Sequence, residues 1–404
     1  MLSMRILLIH QNFPGQFKHL VPYLSSFGHD IMCICSHDRP FAHWIQGWRY
    51  KPPEPPKEPM PLSQHLWFES LQRAASVADI CHKLNTQGWV PDRILAHSGW
   101  GETLGIAETW PNIPQIVWPE LWTLPQHGGY GFDPTLPEVS FSQTIEQLGR
   151  NLMTRLALNQ AAAWVMPTHH QADSLPACFQ DSRLNIIHEG INTSIASPNK
   201  NVSFYVRGRH VDASVPSITF VNRNLERLRG FDLFMQSLPE LQRNWPDLCV
   251  FIVGDNGPGY GNGHPSGKTL REVMINELAS ELDFNRIFFL GRVPYNQLIT
   301  LFQISWVHVY LSYPFVLSWS LLEAMSCGCS IVASEGMPVE EVITDNVNGL
   351  LTSMDNPKLL SARISQLLSD PESRTRLSKA ARISALSYDT SITLPKLYKL
   401  IIDL

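Results

Sequence analysis

The chain is short of charge and has no long hydrophobic run. Asp, Glu, Lys and Arg make up 17% of its 404 residues, and 36 acidic against 31 basic side chains leave a formal net charge of −5. Nucleic acid and anionic membranes need a broad basic field, which this balance does not supply, although a local basic groove stays open. No apolar stretch approaches the roughly 18 residues of a membrane span. The opening Met1-Leu-Ser-Met-Arg-Ile-Leu-Leu-Ile-His10 has an apolar run too short for a secretory core and no small-residue cleavage site behind it. A cytoplasmic protein is therefore expected. The seven cysteines are odd in number and form no C-x-x-C pair, as expected of free thiols in a reducing compartment. Cys327-Gly-Cys329 reads as part of a helix-to-strand turn. His169-His170 has no further ligands at zinc-like spacing, so no metal site is expected.

What the chain has in quantity is alternation. Short apolar runs at 5–9, 28–35, 93–97, 113–118, 164–166 and 184–187 read as buried strands. Helical spacing follows the first of them at Leu20 and Leu24, and a long helix is expected over 63–84. The proline run from Lys51 to Pro61 excludes both helix and central strand, and reads as an extended surface loop. The polar stretch from Asn192 to Pro216 breaks the rhythm, which then restarts. Strands are expected at 217–221, 248–253, 287–290, 306–311 and 330–334, and helices at 231–241, 270–282, 296–302, 357–368, 372–385 and 393–404. Such alternation predicts an α/β chain of two doubly wound, Rossmann-like domains facing each other across a cleft. The expected boundaries are 1–195 for the first domain, 196–216 for a linker, 217–385 for the second domain, and 386–404 for a last helix packing back on the first.

The tract from Tyr313 to Ser334 carries the most chemistry. It reads as a loop, a helix beginning near Ser318, a turn at Gly328 and a buried strand, with Glu323 about one and a half turns into an otherwise apolar helix. A helix start holds phosphate on its N–H groups, and a carboxylate nearby accepts hydrogen bonds from sugar hydroxyls. Ser320 also stands three residues before Glu323, the spacing of a capping box, so a purely structural reading of Glu323 stays open. Arg223 and Arg229 follow the strand at 217–221, and ligands gather at the carboxyl ends of such strands. Two guanidinium groups there suit a diphosphate, although with Arg227 they also suit a basic surface loop. The glycine-rich Ile252–Gly261 stretch lacks the Gly-Lys-Ser/Thr of a Walker loop. Phe288-Phe-Leu-Gly-Arg-Val-Pro-Tyr295 places Arg292 after another strand.

Together these stretches resemble the retaining glycosyltransferases of family 4, which have the GT-B fold. The resemblance spans nearly the whole chain, closely over 217–351 and more loosely over 4–192. It implies transfer without a covalent sugar–enzyme intermediate, catalysed by charge stabilisation on the leaving diphosphate by Arg223, Arg229 and a helix N-terminus. Ser318 and Trp319 would sit at the phosphate, Glu323 on the ribose, and Arg292 beside the base. The co-substrate is expected to be a nucleotide diphosphate sugar, UDP-linked in the first instance with GDP- and ADP-sugars as alternatives, and no cofactor or metal is implied. No Asp-x-Asp metal-phosphate motif stands out. The chain departs from the family at one point. The usual motif has two glutamates separated by seven residues, and Phe315 replaces the first, followed by Val316-Leu317-Ser318 in place of Gly-Phe-Gly.

In the first half, Gly15 lies in the loop His10-Gln-Asn-Phe-Pro-Gly-Gln-Phe17 and would let a donor phosphate or acceptor approach the backbone; an ordinary Pro-Gly turn is the other reading. His97 ends a strand and would orient a sugar hydroxyl. Glu120 and Trp122, in Trp118-Pro-Glu-Leu-Trp122, suit an acceptor, and His127-Gly-Gly-Tyr-Gly131 follows them. The acceptor class is a hydroxyl of a polysaccharide, glycolipid or small molecule, with peripheral membrane contact left open and no nucleic acid. A nucleotide-sugar epimerase of the same fold would need acidic groups placed for proton abstraction, and no such set is seen. A non-catalytic nucleotide-sugar-binding protein is the alternative that Phe315 motivates.

Overall fold

Ile6, Leu7, Leu8 and Ile9 are all fully buried. A parallel strand covered on both faces requires such a run. The computed structural model describes residues 3–125, 127, 130–132, 137–257, 259 and 266–404, with the side chain of Leu62 outside the description. The chain divides into two units, residues 1–190 with 390–404 and residues 191–389.

Unit 1 is built from β1 (Arg5–Ile9), α1 (Leu20–Ser26), β2 (Asp30–Cys35), β3 (Gln46–Arg49), α2 (Leu62–Thr86), β4 (Arg93–His97), β5 (Gln115–Trp118), α3 (Phe141–Gln160), β6 (Ala163–Met166), α4 (His169–Asp173) and β7 (Leu184–Ile186). Its seven strands lie in the order β3-β2-β1-β4-β5-β6-β7, all paired in parallel. Unit 2 contains an antiparallel hairpin, β8 (Ser203–Val206) and β9 (Arg209–Asp212), followed by β10 (Ser217–Asn224), α5 (Phe231–Asn244), β11 (Cys249–Asp255), α6 (Leu270–Glu277), β12 (Ile287–Gly291), α7 (Tyr295–Ile304), β13 (Val307–Tyr310), α8 (Trp319–Cys327), β14 (Ser330–Ser334), β15 (Leu350–Thr352), α9 (Pro357–Ser369) and α10 (Pro371–Leu386). Its parallel sheet runs β12-β11-β10-β13-β14-β15. In both sheets the order reverses at the first strand, so loops on either side of β1 and of β10 diverge and leave room at the carboxyl edge.

The last helix, α11 (Thr390–Asp403), belongs to unit 1. Leu397 and Ile401 join Ile6, Leu8 and Phe17 in one apolar cluster. Tyr398 Oη lies 3.0 Å from His29 Nε2, and Arg93 Nε donates to the Ile401 carbonyl at 2.8 Å.

Several elements differ from the sequence expectation. Residues 196–216 are not a free linker. They hold the hairpin β8–β9, with Ala196 and Val211 buried and the Ala213 carbonyl accepting from Trp306 Nε1 at 2.9 Å. The hairpin's short apolar run, Phe204-Tyr205-Val206, is half-exposed and flanked by polar residues, so it reads as part of a polar crossing. Helix α3 went unread because its buried face is made of Gly149, Met153, Thr154, Ala157 and Leu158, small or polar for the most part, while Phe141, Ile145, Leu148 and Leu156 face solvent. Its start is set by a capping box of Ser140 and Gln143. Strand β3, Gln46–Arg49, has no buried residue and so no apolar run, and β15, Leu350–Thr352, is a further short strand that the sequence expectation lacked.

If α11 is an integral part of the unit 1 core, Ile401→Ala, at a fully buried site, should destabilise that unit by about 2–5 kcal/mol. A thermal melt with the Tm within a degree of the parent would show that α11 only rests on the surface.

Candidate functional site

The carboxyl edge of the unit 2 sheet collects most of the expected site residues. Strand β10 shifts register between Val221 and Asn224 and ends with Arg223 exposed. Among the described residues Arg223 makes no ion pair. The chain then turns at Gly230, whose φ is +63° and where a Cβ would stand 2.7 Å from the Leu311 Cβ, so only glycine fits. That turn sends Arg229 inward.

Arg229 is 7% exposed and its guanidinium is used within the protein. Nη1 donates to Tyr310 Oη at 3.1 Å, to Ser312 Oγ at 2.7 Å and to the Val316 carbonyl at 3.1 Å, and Nη2 donates to the same carbonyl at 3.1 Å. The Phe315 ring lies 5.3 Å from the guanidinium carbon, within cation–π range. Arg229 was expected to grip a phosphate directly. Instead it braces the loop after β13. A buried guanidinium has five donors, and Tyr310 at the end of β13 with Ser312 and Val316 in the loop accept from its two terminal nitrogens. Phe315 forms one wall of that brace.

Helix α8 begins as expected, with Ser318 as its cap: Ser318 Oγ accepts from the Ser320 N–H at 3.3 Å. The Ser318 N–H was expected to face phosphate. It donates to Tyr310 Oη at 3.0 Å instead. Trp319 is the first helical residue and is half-buried. Because Ser318 and not Ser320 is the cap, Glu323 closes no capping box. It is 4% exposed, and its Oε1 accepts from Tyr295 Oη at 2.8 Å. Burial, reinforced by this carboxylate, pushes the Tyr295 hydroxyl well above its ordinary pKa, so it remains a proton donor. Burial and then Glu323 push the Cys327 thiol up to about 12. Arg292 lies exposed beyond β12, its Nε 3.1 Å from Asp255 Oδ2 at the end of β11. In the glycine-rich stretch, Pro258 and 260–265 lie outside the described residues.

Unit 1 gathers a second group at its own carboxyl edge. His97 ends β4 with its side chain fully covered. Its Nδ1 accepts the Gly99 N–H at 3.3 Å, which leaves the proton on Nε2, 3.2 Å from Glu120 Oε2. Trp100 stacks on the His97 ring at 4.2 Å. His97 was expected to touch a sugar hydroxyl, but both its nitrogens are engaged. The group it presents is Glu120, whose side chain is 28% exposed. Glu120 has φ +66°, a left-handed conformation that a non-glycine residue rarely holds, and its carbonyl accepts Gln171 Nε2 at 2.6 Å.

Gly15 has a different reason from the one expected. Its φ is +47°, and a Cβ there would lie 2.1 Å from His10 Nε2. The space in front of Gly15 holds the His10 ring, not a ligand. His10 accepts the Asn12 N–H on Nδ1 at 2.9 Å and meets Gln16 Oε1 through Nε2. Its ring centroid is 5.1 Å from that of His97. Burial, and then His97, lower its pKa to about 3. Trp122 is also corrected: it is 8% exposed and packs with Trp164 and Phe179 in the core. It lies behind the site because residues 121–122 turn inward after Glu120. In His127–Gly131, positions 128–129 lie outside the described residues.

Sequence reasoning missed His10, Tyr295 and Tyr310 as site residues. His10 directly follows β1 and Tyr310 ends β13, so the strand-end rule that selected His97 could have found both. A buried pair in unit 1, Tyr50 Oη donating to Glu102 Oε1 at 2.7 Å, carried no sequence signal.

The depressed pKa of His10 has a measurable consequence. Above about pH 6.5 the residue is neutral in both folded and unfolded chains and adds no pH dependence. Below that the unfolded chain takes up a proton that the folded chain refuses until about pH 3. Unit 1 should therefore lose stability as pH falls through this window. His10→Asn should reduce the slope of its unfolding free energy by up to ~1.4 kcal/mol per pH unit between pH 6 and 4. Urea melts with equal slopes for both proteins would contradict this.

Residues 27–196 match the model of the Glycosyl transferase family 4 group, and residues 210–384 that of Glycosyl transferases group 1. The D-inositol 3-phosphate glycosyltransferase of Corynebacterium urealyticum is 28% identical over 196 residues, covering 48% of this chain and 44% of that protein. An uncharacterized glycosyltransferase of Methanocaldococcus jannaschii is 30% identical over 152 residues, 37% of this chain and 36% of that one. The matches thus span less than two thirds of these curated relatives. Among solved structures, sucrose-phosphate synthase from Thermosynechococcus elongatus aligns with a TM-score of 0.74 at 14% identity, covering 99% of both chains. Anabaena HepE, in complex with UDP and glucose, aligns with a TM-score of 0.72 at 18% identity over 100% of both. The two parallel-sheet units fold as GT-B, and the chain belongs to the family 4 type of glycosyltransferases.

Proposed function

We propose that the protein is a retaining glycosyltransferase that moves a sugar from a nucleotide diphosphate sugar to a hydroxyl acceptor. The observation that carries this reading is the gathering of exposed Arg223, the loop braced by Arg229 and the capped start of α8 at one carboxyl edge of the unit 2 sheet. Cationic groups and a helix start placed there suit a diphosphate. Arg223 takes the role of direct phosphate ligand, because its guanidinium is exposed while that of Arg229 is engaged. Glu323, one and a half turns into α8, accepts the ribose hydroxyls. The Tyr295 hydroxyl holds its place in the unliganded protein. UDP-sugars are the first donors to test, since HepE has been crystallised with UDP and with UDP-glucose.

In the reaction, the bond from the anomeric carbon to the β-phosphate oxygen breaks, and its electron pair stays on that oxygen. The acceptor oxygen bonds to the anomeric carbon on the same face, and its proton passes to the departing phosphate. Negative charge grows on the diphosphate, so groups that stabilise it more in the transition state than in the ground state accelerate the step. Arg223 and the dipole of α8 do this without requiring a metal ion. In unit 1, Glu120, fixed by His97, is the carboxylate that accepts a hydrogen bond from the acceptor hydroxyl.

A second reading is favoured by Phe315. An apolar ring packed on Arg229 stands where the family resemblance implies a carboxylate reaching the donor sugar. A non-catalytic nucleotide-sugar-binding protein would show donor binding by calorimetry and no turnover over a broad acceptor panel.

Release of nucleoside diphosphate from UDP-, GDP- or ADP-sugars with an acceptor panel, together with NMR assignment of the product anomer, tests the main reading; an inverted anomer would end the retaining mechanism. Arg223→Ala should lower kcat/KM by about a hundredfold, ~3 kcal/mol of transition-state stabilisation. Glu323→Gln keeps an acceptor for Tyr295 and should weaken nucleotide binding roughly tenfold with little change in Tm; a lowered Tm with unchanged binding would reassign Glu323 to a structural role. EDTA should leave turnover intact, and loss restored by a divalent ion would overturn the metal-free part of the scheme.

A further inference from the structure

Tyr310 closes β13 and is 1% exposed, with its ring in the main apolar cluster of unit 2. Its hydroxyl touches both halves of the proposed phosphate-binding edge. It accepts Nη1 of Arg229 at 3.1 Å and the N–H of Ser318 at 3.0 Å. A phenol oxygen has two acceptor lone pairs, so these two donors saturate it. The guanidinium carries charge and the N–H opens a helix, which makes both bonds stronger than neutral average.

Resting on the donor reading above, we propose that Tyr310 is a positioning residue: its hydroxyl locks the Arg229-braced loop to the head of α8 and so holds the diphosphate cradle in one geometry. The lock has a clear mechanical logic. Arg229 also holds the Ser312 hydroxyl and the Val316 carbonyl, which fixes the two ends of the loop on either side of Phe315. Those bonds do not reach α8 itself. Among the described residues, the Tyr310 bond to Ser318 is the hydrogen bond that links the cap residue to the same guanidinium. The phenol ring is rigid and clamped in the core, so the oxygen has no freedom of its own. When the cap and the loop move as one body, the positive end of the α8 dipole and the exposed Arg223 meet the terminal phosphate without reorganising. Without the hydroxyl, the Ser318 N–H and one Arg229 donor are left without this partner, and the helix start loses its anchor.

The expected signature is selective for the terminal phosphate. Calorimetry with UDP, GDP and ADP identifies the nucleotide that the wild-type chain binds. Tyr310→Phe should weaken that diphosphate at least tenfold and the corresponding monophosphate less than threefold. In an Arg229→Lys background, Tyr310→Phe should add less than a threefold further loss, because both changes break one coupled unit. Equal losses for diphosphate and monophosphate, an unchanged diphosphate affinity, or fully additive losses would each overturn the proposal. Hydrogen exchange of the unliganded protein reads the same lock with no ligand at all. Tyr310→Phe should speed exchange at least tenfold over 312–320 and leave the rest of unit 2 unchanged; unaltered exchange there would overturn the proposal. A wild-type chain that binds none of the three diphosphates would count against the donor reading, while hydrogen exchange still decides the role of Tyr310.

Discussion

A guanidinium taken out of water must find an acceptor for each donor, and the site region of unit 2 is arranged around that requirement at Arg229. The side chain reaches the end of β13, the loop beyond it and, through Tyr310, the first turn of α8. Arginine suits this task better than lysine because its donors are spread in a rigid plane and can hold several elements at fixed angles. Phe315 covers the face of that plane. A carboxylate at the same place would have paired with the guanidinium and drawn it away from the carbonyl and hydroxyl acceptors. Phe315 stands where the family resemblance implies a glutamate, and Arg223, near the end of β10, and Arg292, just beyond β12, are left exposed.

Unit 1 uses the same device with different chemistry. His97 is fully covered, and its two nitrogens have separate partners, so its tautomer is set by the Gly99 N–H. The ring then presents a proton to Glu120 and holds a carboxylate in a strained backbone position near the surface. His10, packed beside it and kept neutral by burial, adds no positive charge that would compete for Glu120. Gly15 exists to leave space for that ring. In both units a buried group that never reaches solvent decides what a more exposed group can do.

Much of the architecture was legible in the sequence because parallel strands buried on both faces leave unbroken apolar runs. The strands at 5–9, 93–97, 217–221 and 330–334 were all visible for that reason. Other elements were not visible: the half-exposed hairpin β8–β9, the edge strands β3 and β15, and α3, whose apolar stripe points outward. The strand-end rule pointed to His97 but was not carried through to His10 and Tyr310, which also stand at strand ends. Trp122 looked like an acceptor platform and is core. Ser320 stood at capping-box spacing from Glu323, and the cap is Ser318.

The sequence by itself determined the two-fold repetition of strand and helix, the start of α8, its end at Gly328 and the family to which the chain belongs, because all of these rest on short-range patterns. The tertiary structure decided which donors are engaged and which face solvent. The acceptors for Arg229 lie 81–87 residues away along the chain, and the carboxylate beside His97 lies 23 residues away. No spacing rule links such pairs. They meet only when the sheet brings separate strand ends to one edge, and burial then makes each unsatisfied donor too costly to leave alone.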